Sequence, residues 1–152
     1  MSTEHNMRIA RRIAEELFNQ GNLQSADELI APDAVDHNEP PGTDCREHFK
    51  RVATMLRNAF PDLLMQIEHS VAEEDRVALL ITVSGTHTGP GAAFGIAPTG
   101  KPFRIQQMRF ARFANGQMTE SWAVIDMLAW MRQLGAAPNP GTNTNEAAFQ
   151  GH

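Results

Sequence analysis

The sequence predicts an α+β fold, and three observations carry the prediction. At 152 residues the chain has the length of one domain, enough to bury about two thirds of its unfolded surface around a single core. Segments of helical periodicity come first and long strand-like segments follow Pro61, an order that argues for α+β rather than alternating βαβ units. Short connections at Glu73-Glu74-Asp75 and Ala114-Asn115-Gly116 make the later strands antiparallel neighbours. A curved antiparallel sheet wrapped on N-terminal helices is the expected architecture.

Each element has its own signal. From Arg8 to Phe18, Ile9, Ile13, Ala14 and Leu17 fall on one helical stripe, and Gly21 supplies the stop. Asn22 to Ile30 reads as a second short helix capped by Asn22, which Pro32 prevents from continuing. Ala34-Val35-Asp36-His37 is a short strand, followed by the turn-rich Asn38-Glu39-Pro40-Pro41-Gly42. Thr43 or Asp44 caps a third helix, in which Phe49, Val52, Ala53, Leu56 and Ala59 recur at spacings of three and four. Strands are expected over Leu63 to Ala72, Arg76 to Thr88, Phe103 to Ala114 and Gln117 to Ile125. Between His87 and Lys101 a Gly- and Pro-rich loop is long enough to cover an opening. Met127 to Leu134 is a last helix stopped by Gly135, so a single domain spans residues 1–135, and 136–152 is expected to be a loose tail.

Composition narrows the function. The net charge is -5 and no cluster of Lys and Arg alternates with aromatics, so nucleic acid is not an expected partner. Arg46, Lys50, Arg51 and Arg57 recur on the third helix and read as a solvated face. No apolar run has the length of a membrane span, and the first residues lack the basic start and apolar stretch of a secretory signal; the expected location is the cytoplasm. The single cysteine, Cys45, excludes an intramolecular disulfide and a multi-cysteine metal site, and it reads as inert packing. His37, His87, Glu120 and Asp126 could offer metal ligands, yet no pair has the i, i+4 spacing of a preformed site, so no metal is expected.

The chemistry concentrates in Gly116 to Asp126. On a strand, Glu120, Trp122, Val124 and Asp126 share one face and Ala123 takes the other. Two acids beside a tryptophan read either as a pocket wall, where an apolar lining raises a carboxyl pKa toward the range of proton transfer, or as a half-solvated strand with its acids in water. Asp126 precedes a helix, and its carboxylate either caps that helix or points into the cavity. His37 stands between a short strand and a rigid Pro-Pro turn, which would fix it at a cavity mouth as a general base. His87 ends a strand beside the Gly-rich loop, as a pocket histidine or a lid histidine. His5, His48, His69 and His152 have no evident partner.

Gly85-Thr86-His87-Thr88-Gly89, Pro98-Thr99-Gly100-Lys101, Glu120-x-Trp122-x-x-x-Asp126 and Arg132-Gln133-Leu134-Gly135, in this order and spacing, resemble the SnoaL-like polyketide cyclases. The resemblance runs back through Phe60-Pro61-Asp62 and Asp36-His37-Asn38 to the first helix, leaving out only the tail. It implies the cone-shaped NTF2-like fold shared with nuclear transport factor 2 and ketosteroid isomerase. It also implies ring closure of an aromatic polyketide by an intramolecular aldol step, with no metal and no organic cofactor. Such chemistry needs an acid/base group beside a carbonyl and an apolar cavity that holds the chain folded. The family's acid/base aspartate on the final strand falls at Ala123, and the histidine that accompanies it falls at Arg109. Alanine cannot move a proton, so that mechanism does not carry over residue by residue.

The expected function is a cofactor-independent aldol cyclisation or isomerisation of a small apolar or polycyclic carbonyl compound in an apolar pocket. His37 or Asp126 is the expected catalytic base, with Glu120, Trp122, His87 and Arg109 binding the substrate. The outer face of the sheet offers a surface for pairing, so a homodimer or higher homo-oligomer is expected. The alternative is a non-catalytic small-ligand-binding or dimerisation module of the same fold, favoured by the missing aspartate. Ser84, Ser121 and Cys45 show no nucleophile-base arrangement, which disfavours a hydrolase.

Overall fold

In the computed structural model, which describes residues 2–136, N-terminal helices pack on one face of a curved five-stranded sheet. Helix α1 (Thr3–Arg12) is capped by Ser2, whose Oγ accepts a hydrogen bond from the His5 N–H at 3.1 Å. It runs on as π-helical turns over Ile13–Asn19, burying Ile9, Ile13, Ala14, Leu17 and Phe18. Helix α2 (Gln24–Leu29) lacks the expected side-chain cap: Asn22 contributes its backbone carbonyl, which accepts from the Ser25 N–H at 3.1 Å.

Strand β1 (Ile30–Asp36) starts directly after α2 and is longer than the sequence suggests. It runs through Pro32 because it is an edge strand, where a missing N–H costs no ladder bond. Its pairing with β5 is parallel and shifts register between Ile30 and Val35, around that proline. Helix α3 (Cys45–Ala59) is capped by Asp44, whose carboxylate accepts from the Glu47 N–H at 3.2 Å, while Thr43 closes the preceding turn. Its cations are more than a solvated face. Arg46 donates to the Ile30 and Asp27 carbonyls at 2.6 and 2.9 Å, Lys50 pairs with Asp27 at 2.9 Å, and Arg57 donates to the Phe18 carbonyl at 3.2 Å, tying α3 to the helical hairpin.

Strands β2 (Leu64–Glu73), β3 (Arg76–Thr86), β4 (Pro102–Ala114) and β5 (Gln117–Ile125) form an antiparallel meander, and the full order is β1-β5-β4-β3-β2. Asn115 and Gly116 both take positive φ, 53° and 79°, the conformation a two-residue hairpin demands. Helix α4 (Met127–Gln133) follows β5. The expected tail lies outside the described residues apart from Ala136.

One irregularity governs the rest. Arg112 pairs with Glu120 and Phe113 pairs with Met118, so Thr119 is an extra residue on β5. Met118 is buried on the inner face, and after the bulge it is Ser121, Ala123 and Ile125 that point inward. Glu120, Trp122 and Val124 therefore face out.

Candidate active site

Between α3 and the inner faces of β4 and β5 lies a cavity of about 430 Å³. Phe18, Phe49, Val52, Met55, Ile125 and Met127 make most of its wall. Phe94 joins them from the loop between β3 and β4, edge-on to Trp130 with ring centroids 4.7 Å apart. The root of that loop is pressed against α3: a Cβ on Gly89 would stand 1.9 Å from the Asn58 carbonyl oxygen, so only glycine fits. Its tip is open, with nothing within 4 Å of a Cβ built on Gly95.

Polar side chains enter this apolar space from three elements. Asp36, at the end of β1, is 8% exposed and points inward. Its carboxylate accepts from the Asn38 N–H at 2.9 Å and lies 3.8 Å from His48 Nε2. His48, on the first turn of α3, also places Nε2 2.9 Å from Glu39 Oε1. The Asn38 side chain donates to the Ala123 carbonyl and accepts from its N–H, both at 2.7 Å. It thereby imitates one more strand residue beside β5 and holds the segment carrying Glu39. Arg109, on β4, donates to Ser121 Oγ at 2.5 Å, with its guanidinium carbon 5.2 Å from the centre of the Phe49 ring. Burial lowers the Arg109 pKa, and the nearby Asp36 charge works against that shift. Burial first, and then Asp36, pushes the Cys45 thiol up to about 11, so it stays protonated and unreactive at neutral pH.

Of the expected catalytic and substrate-binding residues, only Arg109 lines this cavity. Glu120, Trp122 and His37 do come together, but on the outer face. The His37 ring stacks on Trp122 at 4.4 Å between centroids and 6° between planes, with Nε2 3.9 Å from Glu120. The cause is the alternation of β1, which turns Asp36 in and His37 out, and the matching alternation of β5 after its bulge. Asp126 is exposed and caps α4, its carboxylate accepting from the Ala129 N–H at 3.1 Å; it does not line the cavity. His87 is fully buried against Phe60, and its Nε2 lies 3.1 Å from the Gly91 carbonyl, so it fastens the root of the loop instead of binding in the cavity.

Asp36, Glu39 and His48 were not singled out by sequence reasoning. A usable signal exists for His48: with Val52 and Met55 it follows the i, i+4, i+7 spacing of one helical stripe, so the cavity-facing side of α3 carries a histidine among its apolar positions.

The family model for the SnoaL-like polyketide cyclases matches residues 8–134. The chain belongs to this family. No curated protein matches the sequence. Among solved structures, IdmH from Streptomyces antibioticus, assigned as a polyketide cyclase, is 32% identical with a TM-score of 0.72, over 86% of this chain and 98% of IdmH. AclR from Streptomyces galilaeus, assigned as a hydroxylase, is 31% identical with a TM-score of 0.75, over 90% of this chain and all of AclR. TsrD from Streptomyces laurentii, at 20% identity and a TM-score of 0.80 over 90% of this chain and 98% of TsrD, shares the fold. Among the described residues no helix is long and apolar enough to cross a membrane. In this SnoaL-like chain, Ala123 and Arg109 are direct cross-strand partners, and both line the cavity.

Proposed function

We propose that this SnoaL-like protein removes a proton next to a carbonyl and guides an intramolecular aldol ring closure or an isomerisation, without a cofactor. His48 is the base in this reading, backed by Asp36 and Glu39, and it takes the place of the aspartate absent at position 123. The supporting observation is the convergence of His48, two carboxylates and Arg109 on one largely apolar cavity. A positioned histidine contributes roughly 10²–10⁴-fold to such a step.

The proton leaves the α-carbon for the His48 imidazole, and the positive charge formed there has the Glu39 carboxylate 2.9 Å away. The enolate carbon then attacks a second carbonyl carbon of the same molecule, held close by the cavity walls, and a C–C bond forms. The resulting alkoxide takes the proton back from His48. In an isomerisation the same proton returns to a different carbon.

Exchange of α-protons for deuterium in 2-tetralone, followed by NMR in D₂O, tests the reading without knowledge of the natural substrate. The native chain is expected to accelerate exchange, and His48→Ala and Asp36→Asn to lose the acceleration. Undiminished exchange in His48→Ala overturns the assignment of the base. No acceleration by a native chain that still binds the ketone overturns the enzyme reading in favour of a binding module.

We also infer that the outer face of the sheet seats a second copy of the chain. Val35, Met108, Phe110 and Val124 lie exposed on it, with Val124 77% exposed, and an Arg112–Glu120 pair at 3.8 Å offers both signs of charge to a self-complementary interface.

A further inference from the structure

Resting on the cavity reading above, we propose that the ligand carries a carboxylate and that Arg109 receives it. Among the described residues the Arg109 guanidinium donates one hydrogen bond, to Ser121 Oγ, and forms no ion pair. The two carboxylates of the cavity are engaged elsewhere. Asp36 accepts from the Asn38 N–H, and Glu39 faces His48. Most of the guanidinium's N–H donors are left for a molecule in the cavity. Asp36 lies near enough to act on the guanidinium but makes no ion pair with it, so a ligand that supplies a directly paired counter-charge gains affinity which a neutral one does not.

Position 123 shows where the counter-charge fits. Ala123 is the cross-strand partner of Arg109 on the cavity face, where opposed Cβ atoms stand about 5 Å apart. An acidic side chain there would neutralise the guanidinium, whereas the alanine methyl leaves the space open. The chemistry of the surroundings selects the anion. A planar guanidinium fork binds a planar carboxylate through two parallel hydrogen bonds. A phosphate would bring further negative charge to a space already holding Asp36 and Glu39. The substrate class that results is an apolar or polycyclic carbonyl compound bearing one carboxylate, with Arg109 fixing that end while His48 addresses the acidic carbon.

Calorimetric titration with 2-naphthoate and with the neutral 2-naphthamide tests this. The native chain is expected to bind the naphthoate at least about tenfold more tightly than the amide. Arg109→Gln is expected to erase the preference. Ala123→Asp, which fills the space from the opposite strand, is expected to do the same and keeps the test decisive if Arg109→Gln fails to fold. Equal affinities in the native chain, or a preference that survives both substitutions, overturn the proposal. Because 2-tetralone is neutral, its exchange through His48 is read independently, so a carboxylate site can fail while the base stands. If neither naphthalene binds, the cavity reading falls and this proposal with it.

Discussion

Where β4 and β5 border the cavity, their inner face presents Arg109, Ser121, Ala123 and Ile125 and their outer face Met108, Phe110, Trp122 and Val124, whereas elsewhere the inner face is the core of Phe103, Ile105, Ala111, Phe113 and Met118. The outer set is the more aromatic and apolar, although the inner set borders the cavity. A face that packs directly on helices must be apolar, whereas one that bounds a cavity is partly filled by what enters it, so small and polar residues are tolerated there. The difference teaches that hydrophobicity alone does not identify the inside of a curved sheet. The outer face gathers the histidine, the acid and the tryptophan into a stacked cluster, while the inner side holds the separated polar groups that border the cavity.

Substitutions that touch one face at a time sharpen this contrast. The largest effect is expected for His48→Ala, which should cut 2-tetralone exchange by about 10²-fold or more, while His37→Ala leaves it within about twofold. A reversed result, with His37 dominant, would move the chemistry to the outer face. In the core, Phe60 is fully buried and packs with Phe103 at 4.6 Å and with Trp130, so Phe60→Ala should cost about 3–5 kcal/mol in urea unfolding. Phe110→Ala, on the outer face, should cost far less in the monomer. Val124→Arg places an unpaired charge in the centre of the outer patch and should convert a dimer to a monomer in sedimentation, with cavity binding unchanged. A native chain that sediments as a monomer would remove the role of that face.

The smallest effect is expected at Asp62, which belongs to neither face and fastens the end of β3. Burial raises its carboxyl pKa, but hydrogen bonds from the Thr86 N–H at 2.7 Å and Oγ1 at 2.9 Å outweigh burial and hold the pKa below its ordinary value. Its contribution is therefore complete above the unfolded value near 3.9 and is lost as the pH falls through the lowered folded value. Asp62→Ala should lower stability by about 1 kcal/mol at pH 7, with the difference from the native chain shrinking below about pH 4 in a Tm series.

The fold was legible in the sequence because its signals are local. Apolar spacing marked α1 and α3, Asp44 stood ready as a cap, and Asn115-Gly116 announced its hairpin. The expected strand begins only at Ala34 because Pro32 reads as the stop of a helix that reaches Ile30, and only the sheet order reveals that β1 runs through the proline as an edge strand. The site was less legible for the same kind of reason. Period-two alternation separates Glu120, Trp122 and Val124 from Ser121 and Ala123, but it does not say which set faces the helices. Asp36 and His37 are adjacent in sequence and end on opposite sides of the sheet, so the histidine expected at the cavity lies outside it and its neighbour Asp36 lies within. Arg109 was found through alignment with a family position, the one signal that carries information about a face.

The loop that brings Phe94 to the cavity is clamped at Gly89 and free at Gly95. Such a segment behaves as a replaceable fitting on a fixed mount. The Ala93–Ile96 bridge closes this turn, so exchange of its two central residues, Phe94 and Gly95, is expected to leave the contact with α3 in place and to open the width of the chamber to divergence in a part of the chain that the polar groups do not occupy. Selection for a bulkier or slimmer molecule can act on this one tip while Asp36, His48 and Arg109 keep their places.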